Sequence, residues 1–146
     1  MNNPEGILLV EDNRQDELLI LRSLRQVDLA SRVDVARDGQ QALDYLFQEG
    51  EFAGQRGRDL PTLVILDISL PRVSGLEVLA RLRAHPRTTL LPVVMLTSSD
   101  EEQDLMQAYE NRCNSYVRKP LDFAKFAETV ASLGSYWQAM NRAPRG

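Results

Sequence analysis

Glu11, Asp12, Asp67, Thr97 and Lys119 are all side chains able to bind a cation or hold a phosphoryl group, and each stands at the carboxyl end of a short strand-like run. The runs read LLVED, LVILD, VVMLT and YVRKP, and the most apolar of them fit strands buried on both faces. If such strands lie side by side in one parallel sheet, their carboxyl ends share an edge, and ligands of open α/β sheets bind at that edge. Two acids, a lone aspartate, a hydroxyl and an ammonium would then converge. A carboxylate is a poor nucleophile toward a phosphoryl group because both are anions, so a bridging cation is needed. The set therefore points to a carboxylate phosphorylated with the help of a hard divalent ion, Mg2+ or Mn2+.

The elements that must position these residues are legible in the apolar spacing. After a first strand, Ile7 to Val10, the positions Leu18, Leu21, Leu24 and Val27 recur at roughly helical intervals, with Asn13 as cap. Val33 and Val35 alternate with Asp34, and Asp38-Gly39 turns the chain into a helix bearing Ala42, Leu43, Leu46 and Phe47. Residues 49–59 carry three glycines and mixed charge, and read as a long surface loop. Leu63 to Asp67 is the third strand. Leu76, Leu79 and Leu82 mark the next helix, which Pro86 stops. Val93 to Leu96, a helix over 101–111, Ser115 to Arg118 and a helix from Asp122 complete five strand-helix alternations. Alternation of this kind predicts an α/β, doubly wound, five-stranded parallel sheet with helices on both faces.

A chain of 146 residues is one domain with a sizeable core, and no second domain fits beside it. The net charge of -4 and the lack of a basic stripe argue against a nucleic-acid partner. No apolar stretch reaches the roughly 20 residues of a membrane span, and the N-terminus lacks a signal-peptide pattern. The single cysteine, Cys113, fits a reducing cytoplasm and reads as a small residue beside a turn, not a catalytic thiol. The lone His85, at a helix end before Pro86, has no carboxylate partner by motif. In the last helix, Phe123, Phe126, Val130, Leu133, Trp137 and Met140 are spaced 3, 4, 3, 4 and 3 apart, an a/d seam. Phe126, Val130 and Leu133 fit packing on the sheet. Phe123, Trp137 and Met140 then form a candidate homodimer interface, and Gly134 marks a weak point.

In order and spacing, Glu11-Asp12, Asp67, Thr97 and Lys119-Pro120 resemble the receiver domain of bacterial two-component response regulators, over about residues 6 to 135. The resemblance implies a flavodoxin-like (βα)5 fold with strand order 2-1-3-4-5 and an extended C-terminal helix and tail over residues 136–146. It also implies a single-domain protein without an output domain. Asp67 would be the phosphoacceptor, taking its group from a phosphohistidine of a sensor histidine kinase. Asp12 and Asp67 would hold the ion directly, Glu11 directly or through water, and the Ser69 backbone carbonyl would add an oxygen. Lys119 would place its ammonium on a second phosphoryl oxygen. Thr97 would donate its hydroxyl to the new phosphate, and Tyr116 would rotate inward behind it, repacking the fourth helix, fifth strand and fifth helix. A cis Lys119-Pro120 bond is implied as well. The insertion after the second helix and the SYWQAM tail are similar to the stand-alone receivers that serve bacterial phytochromes.

Simpler roles exist for each residue: Thr97 as a helix cap, Lys119 as a surface lysine, Tyr116 as a core aromatic. Arg14 and Gln15, just after the acid pair, lie where a kinase would dock or are plain exposed helix residues. Ser69 and Ser99 occupy positions that tune dephosphorylation in receivers. A haloacid-dehalogenase-type phosphatase shares the Asp, Thr and Lys, but needs a second Asp two positions after the nucleophile, where this chain has Ser69. A receiver acting as a binding module without phosphorylation is the other competitor. On the favoured reading the protein is not an enzyme beyond its own phosphorylation and dephosphorylation, and passes its signal by contact to a downstream protein.

Overall fold

The computed structural model describes residues 6–28, 33–55 and 60–142. Five strands alternate with five helices: β1 (Ile7–Val10), α1 (Arg14–Gln26), β2 (Val33–Ala36), α2 (Gly39–Phe47), β3 (Leu63–Leu66), α3 (Gly75–Ala84), β4 (Val93–Thr97), α4 (Glu102–Glu110), β5 (Ser115–Arg118) and α5 (Phe123–Ser135). Every strand pairing is parallel, in the order β2-β1-β3-β4-β5. This is the doubly wound, flavodoxin-like arrangement that the alternation predicts.

Side chains alternate across each strand, so the sheet divides the interior into two cores. Leu8, Val10, Val64, Leu66 and Met95 pack with residues of α2, α3 and α4 on one face. Ile7, Leu9, Leu63, Ile65, Val94 and Leu96 pack with α1 and α5 on the other. Burial on both faces is why β1, β3 and β4 are unbroken apolar runs. The edge strands β2 and β5 are only partly buried, and they are the ones that carry polar residues such as Asp34, Ser115 and Arg118. Asn13, Asp38, Ser74 and Asp122 cap α1, α2, α3 and α5, each side chain accepting a backbone N–H of the first turn. Such a cap stabilises its helix by about 1 kcal/mol.

Three expectations are corrected. Leu18 of α1 faces solvent, and the buried face is Glu17, Ile20, Ser23 and Leu24. A carboxylate can take an apolar position here because Arg37 donates to both Glu17 oxygens (3.0 and 2.9 Å) and Arg14 to one of them (2.9 Å). The segment expected to be a loop contains a 3-10 helix, Gly50–Gln55, anchored by Phe52, which meets the Tyr45 ring edge-on at 5.3 Å. Residues 56–59 of that segment lie outside the described residues. The C-terminal seam is interrupted, because α5 passes into a π-helical turn at Tyr136–Met140, with the Asn141 N–H donating to the Tyr136 carbonyl at 2.7 Å. The wider turn shifts the register by a residue, so the 3-4 spacing no longer marks one face. Phe126 and Val130 are buried, Leu133 and Trp137 pack on the same core, and Phe123 and Met140 face outward. No helix of the described residues is long and apolar enough to cross a membrane.

Candidate functional site

Hydrogen bonding continues past the strand ends and sets the site residues along one edge. The Glu11 N–H donates to the Ala36 carbonyl (3.0 Å), the Asp67 N–H to Val10 (3.2 Å), and the Lys119 N–H to Thr97 (2.7 Å). Alternation then decides which side chains turn inward: Glu11, Asp67, Thr97 and Lys119 are buried, while Asp12 is exposed.

Carboxylate oxygens of Glu11, Asp12 and Asp67 all lie within 4.8 Å of one another. Two full charges at that distance repel by about 3 kcal/mol at an effective dielectric of about 20. The donor set is all oxygen, with one ligand open to water, which fits a hard ion that keeps part of its hydration, Mg2+ or Mn2+. Ser69 is exposed, its N–H approaches Asp67 Oδ1 at 3.4 Å, and among the described residues nothing donates to its carbonyl, which leaves that oxygen free for the same ion.

Lys119 offsets part of this repulsion. Its ammonium donates to Glu11 Oε1 (2.7 Å), Asp67 Oδ2 (2.9 Å) and Asp16 Oδ2 (2.9 Å). Burial works against its charge, but the bonds to Asp16, Glu11 and Asp67 outweigh burial and hold the ammonium above its ordinary pKa. Burial pushes the Glu11 carboxyl up to about 7; the bond from Lys119 opposes this and the charge of Asp67 adds to it. Glu11 Oε2 also accepts the Asn13 N–H at 3.1 Å, so both its oxygens are engaged.

Thr97 is fully buried and accepts the Ser99 N–H on Oγ1 at 3.3 Å. Tyr116 is half-buried, and its hydroxyl donates to the Ser99 carbonyl at 3.1 Å. The hydroxyl and the aromatic expected to move together are thus tied to one loop residue. Burial, with smaller contributions from Asp104, Asp100 and Asp67, raises the Tyr116 pKa against the bond to Ser99. The Lys119-Pro120 bond is trans, as are all peptide bonds of the described residues, which corrects the cis bond the resemblance implied. Trans is favoured by about 0.5–1 kcal/mol for X-Pro, and from this backbone Lys119 already reaches three carboxylates.

The quieter readings hold for other residues. The Cys113 thiol is buried, which raises its pKa and leaves it a poor nucleophile. The His85 ring lies 4.9 Å from that of Phe47, and its Nδ1 accepts the Arg87 N–H at 3.1 Å. Arg14, bonded to Glu17, and Gln15 are both exposed, which a kinase-docking role and a plain helix surface require alike.

Sequence reasoning missed three site residues. Asp16, in the first turn of α1, contacts Lys119, a partner 103 residues away that no spacing in the sequence signals. Gly75 and Gly39 hold the loop that follows Asp67. A Cβ on Gly75 would stand 1.9 Å from the Asp67 carbonyl oxygen, and one on Gly39 1.8 Å from that of Val73. Only glycine admits such close approach of backbone.

A five-stranded parallel sheet with an acid triad, a buried threonine and a lysine at its carboxyl edge defines a receiver domain. The chain belongs to that family: the sequence model described as "Response regulator receiver domain" matches residues 7–131. It is 43% identical over 143 residues to the probable methanogenesis regulatory protein FilR2 of Methanothrix harundinacea, covering 97% of this chain and 89% of that one. To response regulator Rcp1 of Synechocystis it is 35% identical, covering 93% and 90%. The crystal structure of the Mn(2+)-bound form of Rcp1 superposes with a TM-score of 0.89 at 33% identity, covering 97% of this chain and all of that one. The bacteriophytochrome response regulator RtBRR is 45% identical, with a TM-score of 0.76 and coverage of 100% and 86%.

Proposed function

We propose that Asp67 accepts a phosphoryl group from a phosphohistidine of a sensor histidine kinase, and that the resulting charge switches a protein-binding surface. The observation that carries this is the placement of the buried Asp67 carboxylate between Lys119 and the oxygens of Glu11 and Asp12. An Asp67 oxygen forms the new P–O bond while the P–N bond to the kinase imidazole breaks, the electron pair leaving with nitrogen. Lys119 shifts its donation from Asp67 to a phosphoryl oxygen, and Thr97, whose Oγ1 accepts the Ser99 N–H, donates its hydroxyl proton to the phosphate. Glu11, Asp12, Asp67 and the Ser69 carbonyl would hold Mg2+ or Mn2+, which when bound neutralises charge on the phosphoryl oxygens. Phosphorylation adds about -1.5 to -2 charges at this edge. Tyr116 would carry the change to α4, β5 and α5, where Met106, Tyr109 and Phe123 are exposed.

The likeness to RtBRR, named for a bacteriophytochrome, supports a bacteriophytochrome as the kinase. The lone free thiol fits a cytoplasmic protein. The chain is a phosphoacceptor, not an enzyme on other substrates: the residue two after Asp67, which a phosphatase of similar layout uses as its acid, is the exposed Ser69. Incubation with Mg2+ and acetyl phosphate, followed by mass spectrometry, tests the reading. One hydroxylamine-labile phosphoryl adduct is expected, absent from Asp67→Asn and without EDTA-resistant formation. An adduct that persists in Asp67→Asn, or none in the parent, would reject it. Transfer from an autophosphorylated bacteriophytochrome, compared with an unrelated kinase, tests the partner.

A further inference from the structure

Lys119 is shared among three carboxylates, and only two of them belong to the cation cluster. All three ammonium protons are in use, on Glu11, Asp67 and Asp16. Glu11 and Asp67 are also two of the three residues whose oxygens converge within 4.8 Å. A divalent ion entering the cluster therefore competes with Lys119 for them. Asp16 stands outside that competition.

The local structure explains why Asp16 is available. It occupies the third position of α1, where an acid commonly reaches back to the N–H of the capping residue. Here the Asn13 N–H is already taken by Glu11 Oε2 (3.1 Å), while Asn13 caps the Asp16 N–H (2.9 Å). The Asp16 carboxylate is thus left to turn toward Lys119. The neighbouring cations Arg14 and Arg37 are spent on Glu17, so they do not draw it away. Glu11 and Asp67 meet the ammonium in buried surroundings, whereas Asp16 is partly exposed and meets it at the rim.

We infer that Asp16 is a positioning residue: it receives Lys119 as a cation takes over Glu11 and Asp67, and so sets how tightly the cation binds and where the ammonium waits for the phosphoryl group. The inference rests on the proposed cation site. Without Asp16, Lys119 has no partner to move to, and stays on the oxygens the ion requires.

The test is a double-mutant cycle read by Mn2+ binding, with free Mn2+ followed by electron paramagnetic resonance in the full chain. Asp16→Asn is expected to raise the Kd about fivefold to tenfold in the parent background and by less than about twofold in Lys119→Met. Lys119→Met alone should tighten binding, since it removes the competitor. Asp16→Glu, which keeps the charge, should restore most of the affinity, and circular dichroism should be the same for all four variants. An equal loss in both backgrounds would mean that Asp16 acts by its charge alone and would overturn the inference, as would an unchanged Kd in Asp16→Asn. Failure of the parent to bind Mn2+ would remove the cation site itself, and this inference with it.

Discussion

Burial pushes the Glu11 carboxyl up to about 7, and the consequence for pH has a definite sign. A carboxyl whose folded pKa lies above its ordinary value of 4.5 favours folding while protonated, and that contribution fades as pH rises toward 7. A cation needs the unprotonated oxygens, so binding must displace the proton. Mg2+ affinity is therefore expected to tighten by up to about tenfold per unit between about pH 6 and 7 and to level off by about 8. Urea denaturation without the ion should show stability falling from about pH 4.5 to about 7. Calorimetric titration at several pH values checks the first, and Glu11→Gln should flatten the profile. At this scale the sequence disclosed Glu11, Asp12, Asp67, Thr97 and Lys119, because each ends an apolar run. Asp16 was not legible, since a first-turn aspartate is explained well enough by the helix dipole until the fold brings Lys119 to it.

The five strands and five helices follow from apolar runs and caps, and the expected boundaries fall within a residue or two of those observed. What the pattern could not show is how elements are tied together by polar contacts distant in sequence. Arg83 of α3 is buried, with no carboxylate partner among the described residues. It donates instead to the carbonyls of Thr88, Thr89, Leu91 and Arg112 and to Asn114 Oδ1. These bonds fasten the turns that feed β4 and β5, at the sheet edge opposite the acids. Arg83→Met should cost about 3 kcal/mol in urea denaturation by orphaning those carbonyls, yet leave the yield of phosphorylated Asp67 unchanged well below the midpoint. Gly75→Ala acts at the other edge. Its Cβ must displace the Asp67 carbonyl, so it should weaken Mg2+ binding and slow phosphorylation by more than its loss of stability explains, measured by calorimetry and by the rate of adduct formation.

For the whole molecule, the question is which apolar surface is left for a partner once α5 has packed. The a/d spacing of the C-terminal segment suggested a continuous seam, but the π turn at Tyr136–Met140 divides it. Trp137 is engaged with its own chain, against the core beneath α5 and edge-on to Tyr136 at 5.3 Å. Leu121, Phe123 and Met140 are 97%, 74% and 72% exposed. The two sets of residues should therefore respond differently to truncation. Trp137→Ala should lower the stability of the single chain by about 2 kcal/mol, less than a fully buried tryptophan would, without changing mass in solution. If copies associate through this face, Phe123→Ser with Met140→Ser should shift sedimentation toward the monomer while leaving the urea midpoint nearly unmoved. The net charge of -4 opposes self-association weakly and is screened by salt, so the comparison belongs at moderate ionic strength, with and without phosphorylation. An identical sedimentation profile for parent and double variant would mean that these exposed residues do not join copies of this chain.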